Sequence, residues 1–360
     1  MPVRLGIIGL SADKSAWATR AHVDPLKSDL LKEKYQITAV ATSKPETAEA
    51  AAKAYGISKD KGYSSPEAIA KDPDVDMVVV SVKTPLHKQL AIPALEAKKD
   101  VFVEWPLGNG LQEAEELAAL AKKQGVKTLI GLQSRLAPSI RKAKELIDSG
   151  ALGRITTTNI VTSNSMFNTI SARSLYMNDP RNGANLVSIA AGHTLDALCY
   201  LLGEFKHLNA TTAVTFPEIA LIGDDGKSTM IERKFVDAIA VQGILENGAT
   251  ANYVSTTTTT ATPTKFEWII SGEKGSLKFE GGAFIALFPP KLYEYKAGEG
   301  AKWEEVDIPG QLAFGGVGEL YAAYAKGEKD GLVDFDEAVK RHRMVDAIYR
   351  SAEKGTRETY

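Results

Sequence analysis

The chain has 360 residues, 44 % of them hydrophobic, and a formal net charge of −2 at pH 7. That length suits two domains, each with its own core, and the near-neutral charge argues against a polyanion-binding surface and so against direct nucleic-acid contact. The single cysteine, Cys199, excludes a disulfide framework and a multi-cysteine metal site; with no bilayer-length apolar run and no signal-peptide pattern, a cytoplasmic protein without membrane contact or bound metal is expected.

Val3 to Gly9 reads as a buried parallel strand ending in glycine. A helix follows over about Ser15 to Leu30, with Ser15 as its N-cap. A second strand spans Gln36 to Ala41, and Pro45 opens the next helix, since proline suits a first turn. Asp76 to Val82 is β-branched and almost uninterrupted, the pattern of a strand covered on both faces. A helix after Pro85, a strand from Asp100 to Val103, a helix from Leu111 to Gln124 and a strand from Val126 to Leu132 complete this half. Such strand–helix alternation predicts an α/β Rossmann domain with a parallel, doubly wound sheet over residues 1–130.

In that architecture ligands lie at the carboxyl ends of the strands, which selects four loops. The first, Gly9-Leu10-Ser11-Ala12-Asp13-Lys14, lacks an intact Gly-x-Gly-x-x-Gly, because Ser11 stands where the second glycine would. It is either a modified phosphate loop, with backbone amides, Ser11 and Lys14 on the pyrophosphate, or a bare strand–helix turn. The second, Ala41-Thr42-Ser43-Lys44, has no acid for the 2′-hydroxyl of NAD; Ser43 and Lys44 can donate to a 2′-phosphate, so NADP is expected over NAD. The third, Thr84-Pro85-Leu86-His87, carries a histidine that either faces the ligand or bonds a nearby carbonyl at the start of a helix. The fourth is Glu104-Trp105-Pro106.

After Gln133, a helix from Pro138 to Ser149 leads into β-rich stretches: Ile155 to Thr162, Leu208 to Phe216, Ala238 to Leu245, Thr250 to Thr259, Phe266 to Ile270, Ser276 to Phe279 and Ala283 to Leu287. Few helices intervene, which predicts an α+β domain, residues 131–360, with a large, mostly antiparallel open sheet. The threonines from Thr256 to Thr260 read as a strand with one hydroxylated face. A helix over Asn185 to Leu202, the segment Phe314 to Lys326 and a last helix capped by Asp336 complete this half.

Gly6-x-x-Gly9, Thr84-Pro85-x-His87, Glu104-Trp105-Pro106 and Gln133-x-Arg135-x-x-Pro138 resemble, in order and spacing, the glucose–fructose oxidoreductase and inositol dehydrogenase (Gfo/Idh/MocA) family. Gly150-Ala151-Leu152-Gly153 and the hairpin Ser271 to Leu277 continue the likeness. Phe102 to Trp105, the long loop after Gly9 and Gly192-His193-Thr194-Leu195-Asp196 are most similar to the family's fungal galactose-repressor-like branch. The resemblance implies a nicotinamide dinucleotide near Thr84, Pro85, His87, Glu104, Trp105 and Gln133, and a homodimer or higher homo-oligomer formed through the open sheet. It also implies a catalytic lysine, aspartate and histidine. Here Trp105 replaces the lysine and Ile189 the aspartate four residues before His193, while Asp196, three residues later, can orient His193 from the same helix face.

His193, Tyr176 and Trp105 are therefore the catalytic candidates, His193 as acid–base or else as a structural histidine, Tyr176 as an alternative acid or a packing anchor. Trp105 can offer an indole N–H to substrate and a face to the nicotinamide. Arg173, Arg181 and Asn185 are candidates for holding a polar or anionic substrate. Three functions compete. One is an oxidoreductase passing hydride to or from a carbonyl, alcohol or imine carbon of a small molecule. The second, motivated by the missing lysine and aspartate, is a cofactor-sensing regulator that grips a transcriptional activator. The third is hydrolytic or eliminative chemistry with the dinucleotide as a redox relay.

Overall fold

The computed structural model describes residues 1–258, 263–282, 284–298, 300–308 and 316–360. The chain divides into two compact units, Met1–Gln133 with Leu312–His342, and Ser134–Gln311 with Arg343–Tyr360.

The first unit alternates β1 (Val3–Ile8), α1 (Trp17–His22), β2 (Tyr35–Ala41), α2 (Pro45–Ala54), β3 (Gly62–Tyr63), α3 (Pro66–Lys71), β4 (Met77–Val80), α4 (His87–Glu96), β5 (Asp100–Val103), α5 (Leu111–Gln124) and β6 (Thr128–Ile130). Among the described residues these strands form one parallel sheet in the order β3-β2-β1-β4-β5-β6. Strands β4 and β5 are buried on both faces from Val78 to Val80 and from Val101 to Val103, as their unbroken apolar runs require. The strand order reverses between β1 and β4, which opens a crevice at the carboxyl ends of those strands.

The second unit begins with α6 (Pro138–Asp148), β7 (Ile155–Asn164) and β8 (Thr169–Ser171); a π-helical stretch, Leu186–Ala191, then runs into α7 (Gly192–Leu202). Strands β9 (Phe205–Ala213), β10 (Glu218–Ile222), β11 (Ser228–Glu232), β12 (Ala238–Leu245), β13 (Thr250–Thr257), β14 (Lys265–Gly272), β15 (Gly275–Gly281), β16 (Lys291–Lys296) and β17 (Trp303–Glu305) follow. Helix α8 (Val317–Lys326) belongs to the first unit, and α9 (Phe335–Lys354) contributes its start to the first and its remainder to the second. Among the described residues the large sheet has the order β17-β16-β15-β14-β7-β13-β12-β9, antiparallel except where β13 pairs with β7. Alternation along its strands buries Ile160, Tyr253 and Trp268 on one face and turns Asn159, Val161 and Val254 to the other. At the end of β14, Gly272 packs closely on the segment after α6: a Cβ there would stand 2.2 Å from the Leu152 carbonyl oxygen.

The two-domain α/β and α+β architecture is as expected, and several elements differ in detail. The first helix stops at His22, and Pro25 starts a separate 3-10 turn, because proline has no N–H to continue the ladder. Ser15 does not cap that helix: its hydroxyl donates to Asp13 Oδ1, and Ala16 is the cap residue. No strand runs through 284–287. Phe284, Ile285 and Ala286 are buried in succession, which a strand with one covered face cannot do, and the Phe284 carbonyl accepts from both Leu287 and Phe288 to form a turn. Asp334, not Asp336, caps the last helix, accepting from Glu337 N at 2.9 Å. Strand β13 ends at Thr257; Thr259, Thr260, Ala283 and Phe314 lie outside the described residues. Strands β8, β10, β11, β16 and β17 were not anticipated, being short or largely exposed with weak alternation. No described helix is long and apolar enough to cross a membrane.

Candidate functional site

The first part of the site is a cavity of about 440 Å³ at the carboxyl ends of β1 and β2, wholly within the first unit. Gly9, Ser11, Thr42 and Ser43 line it on one side, Ser64, Ser65, Val82 and Leu86 on others, and among the described lining residues there is no carboxylate. Gly9 has φ +97°, and a Cβ there would lie 2.2 Å from the Ser81 carbonyl oxygen, so only glycine lets β1 turn this close to β4. Its own N–H is occupied by the Ala41 carbonyl at 2.9 Å. Leu10 is fully buried and does not line the cavity; the neighbouring Ser11 does. Lys14 points elsewhere than expected: its ammonium donates to the Ala54 carbonyl at 2.8 Å and lies 3.7 Å from the Tyr55 ring centroid. That contact ties the lengthened loop to the end of α2. Thr42 bonds the Thr47 hydroxyl at 2.6 Å, and Lys44 is the exposed residue just before α2.

Thr84 and Pro85 lie on a 3-10 turn. His87 is buried, with Nδ1 2.8 Å from the Pro106 carbonyl and Nε2 3.0 Å from that of Val82. Burial pulls its pKa below the usual imidazole range, against the pull of those carbonyls. Of the two readings of His87, the geometry supports the helix-start histidine that pins the loops after β4 and β5.

After β5, Trp105 is only 6 % exposed and precedes a cis bond to Pro106. Its ring lies 4.7 Å from the imidazole of His342, tilted by 49°. Burial, with nearby His87, pushes the His342 pKa down to about 4, and its Nε2 has no hydrogen-bond partner among the described residues. Glu104 Oε1 accepts from Trp17 Nε1 at 2.8 Å and lies 2.7 Å from His22 Nε2, while His22 Nδ1 is 2.9 Å from the Tyr321 hydroxyl. Gln133 is buried at the start of a 3-10 turn. Sequence reasoning missed His22, Trp17, Tyr321 and His342. None belongs to a local pattern; Tyr321 and His342 come from the far end of the chain.

In the second unit, Asn185 is the N-cap of the helical stretch that carries His193, its Oδ1 accepting from Val187 N, Ser188 N and the Tyr349 hydroxyl. It was expected to hold substrate; two backbone N–H groups at the helix start and the Tyr349 hydroxyl claim its oxygen. The π-helical turns of 186–191 precede His193, so the regular four-residue spacing assumed between positions 189 and 193 does not hold there. His193 is buried, edge-on to Phe284 at 5.4 Å. Asp196 was expected to orient it. Its two oxygens accept from Arg135 Nε at 2.9 Å and Nη2 at 2.6 Å, the bidentate match of guanidinium to carboxylate.

Tyr176 and Arg173 lie on the 3-10 helix Ala172–Asn178, capped by Ser171. Burial raises the Tyr176 pKa, so its phenol stays protonated. Arg181 is bound to Asp179 at 2.6 to 3.2 Å, and this contact holds the Asp179 carboxyl down to about 2. The guanidinium was expected at substrate; the turn Asp179–Asn182 pairs it locally.

Comparison with known proteins places these features. Residues 3–132 match the family described as "Oxidoreductase family, NAD-binding Rossmann fold", and residues 138–281 match "Gal80p, C-terminal domain". The chain is similar to the dehydrogenase aclE of Aspergillus oryzae, 46 % identical over 99 % of this chain and 98 % of the relative. It is also similar to the galactose/lactose metabolism regulatory protein of Kluyveromyces lactis, 34 % identical over 83 % of this chain and 69 % of the relative. Among solved structures, a super-repressor mutant of Gal80p from Saccharomyces cerevisiae superposes with a TM-score of 0.89 at 27 % identity, covering 100 % of this chain and 98 % of that one. A levoglucosan dehydrogenase complex with NADH and L-sorbose shares the fold, with a TM-score of 0.82 at 21 % identity over 99 % of this chain and 98 % of that one.

Proposed function

This chain belongs to the oxidoreductase family with the NAD-binding Rossmann fold, and we propose that it is an NADP-dependent dehydrogenase acting on a carbonyl, alcohol or imine carbon of a small molecule. The observation that carries the reading is the hydroxyl-lined, carboxylate-free cavity under Gly9 and beside Ser43. Near-full-length likeness to a dehydrogenase supports it. The residues fit a pyridine dinucleotide: Gly9 makes room, Ser11 and the loop backbone face the pyrophosphate, and Thr42, Ser43 and Lys44 suit a 2′-phosphate, which a carboxylate would repel. When bound, the nicotinamide supplies the hydride donor or acceptor. Thr84, Pro85, Trp105 and Gln133 then form the remaining wall. His193 moves the proton, with Tyr176 as the second candidate because its half-buried phenol keeps its proton near neutral pH.

Calorimetry should show tighter binding of NADPH than of NADH, and Ser43→Asp should reverse that order; equal affinity in the unmodified protein rejects the NADP preference. In a screen of carbonyl and imine substrates with NADPH, His193→Asn should lower kcat on the order of 10²-fold or more. Should Tyr176→Phe show that loss instead, the tyrosine is the acid.

The likeness to the galactose regulators, together with Trp105 and Ile189 at the family's lysine and aspartate positions, favours one other reading. It is a cofactor-sensing regulator of a transcriptional activator. Capture of an acidic activator peptide, with no turnover across the substrate screen, would replace the enzyme reading by this one. In either case we assign the protein to the cytoplasm, or to cytoplasm and nucleus if regulatory, and assign the outer face of the eight-stranded sheet to a homodimer contact.

A further inference from the structure

We infer that Glu104 is a positioning residue that sets the dinucleotide loop from behind, through Trp17 and His22, and not a ligand of the cofactor. The inference rests on the cofactor reading above. A carboxylate only accepts, so the short contact of Glu104 Oε1 with His22 Nε2 at 2.7 Å requires the proton on Nε2. Nδ1 of the same ring lies 2.9 Å from the Tyr321 hydroxyl, which burial keeps protonated. The same oxygen accepts from Trp17 Nε1 at 2.8 Å.

Trp17 and His22 are the first and last residues of α1, the helix that directly follows the loop beginning at Gly9. One carboxylate thus holds both ends of that helix. The helix has no side-chain cap of its own, so these bonds substitute for local reinforcement. A slot is kept open for the carboxylate: a Cβ at Gly131 would lie 2.4 Å from Glu104 Oε2. The imidazole of His22 is braced edge-on by Phe102 on β5 at 5.1 Å. Since Glu104 also directly precedes Trp105, it couples the loop after β1 to the indole after β5.

The test measures affinity of the full chain for NADPH and for 2′-phospho-ADP-ribose, which lacks the nicotinamide, with NADH and ADP-ribose alongside. Glu104→Ala should weaken the whole dinucleotide and the fragment by the same factor, about ten-fold, the scale of lost hydrogen bonds to a charged group. Trp17→Phe should weaken both in parallel, and the double variant should bind no worse than Glu104→Ala. Glu104→Gln, whose amide oxygen still accepts from Trp17, should recover most of the loss; if Glu104→Ala does not fold, Trp17→Phe and Glu104→Gln carry the comparison. Loss confined to the whole dinucleotide would make Glu104 a direct nicotinamide contact and overturn the inference, as would unchanged binding in both Glu104→Ala and Trp17→Phe. An unmodified protein that binds none of the four ligands rejects the cofactor reading itself.

Discussion

The three buried imidazoles of the first unit differ in what faces their nitrogens. His22 meets a carboxylate and a phenol, His87 meets two carbonyls, and His342 meets the Trp105 ring with Nε2 unpaired among the described residues. Only the last has nothing to offset the loss of solvent, which is why its pKa falls to about 4. In the unfolded chain the same ring titrates near 6.5. Between those values the unfolded state binds the additional proton, so stability should decline as pH falls from about 6.5 towards 4. His342→Gln should flatten that decline relative to the unmodified protein in urea unfolding followed across this range; parallel curves would show that His342 is not its source. At this scale little was legible in the sequence. Glu104, Trp105 and Asn185 stand out by position, yet their partners Trp17, His342 and Tyr349 are 87, 237 and 164 residues away.

Secondary elements with a strong local cause were the readable ones. Helix α5 spans Leu111–Gln124 as its pattern predicts, and Gly125, at φ +67°, ends it in the left-handed conformation that suits glycine. The stretch that carries His193 was read correctly as helical, but its π-helical opening and its ion pair were not, because both depend on what packs around it. Asp196 is fully buried against Arg135, which lies just before α6. Asp196→Ala would take the carboxylate away from that buried guanidinium, a loss of about 3–5 kcal/mol. Chemical denaturation should register a loss of this size, whereas a change below about 1 kcal/mol would mean that solvent or other groups already satisfy Arg135.

For the molecule as a whole, the outer face of the large sheet has testable consequences. Val161 and Val254 pair in register at its centre and are 46 % and 39 % exposed. The adjacent row runs through Asn209, Gln242, Asn252 and Asn159, with Asn252 Nδ2 donating to Asn159 Oδ1 at 2.9 Å. These two rows across β7, β13, β12 and β9 carry no charge, whereas Glu267 on β14 pairs in register with Val161; an uncharged centre with a charged flank suits a second copy of the chain. Val161→Glu with Val254→Glu should halve the mass seen by light scattering while leaving far-UV circular dichroism unchanged; an unaltered mass would remove this face from the contact.

The sequence by itself determined the sheet class of each half and the four loops at the carboxyl ends of the parallel strands. These follow from side-chain period, glycine and proline, which act over a few residues. Tertiary structure alone decided the roles of the individual side chains. Lys14 turned to the end of α2, Asn185 became a cap, Asp196 paired with Arg135, and Glu104 gathered Trp17, His22 and Tyr321. A buried charge or polar group takes whichever partner the fold brings within about 3 Å, and that partner need not be near in sequence.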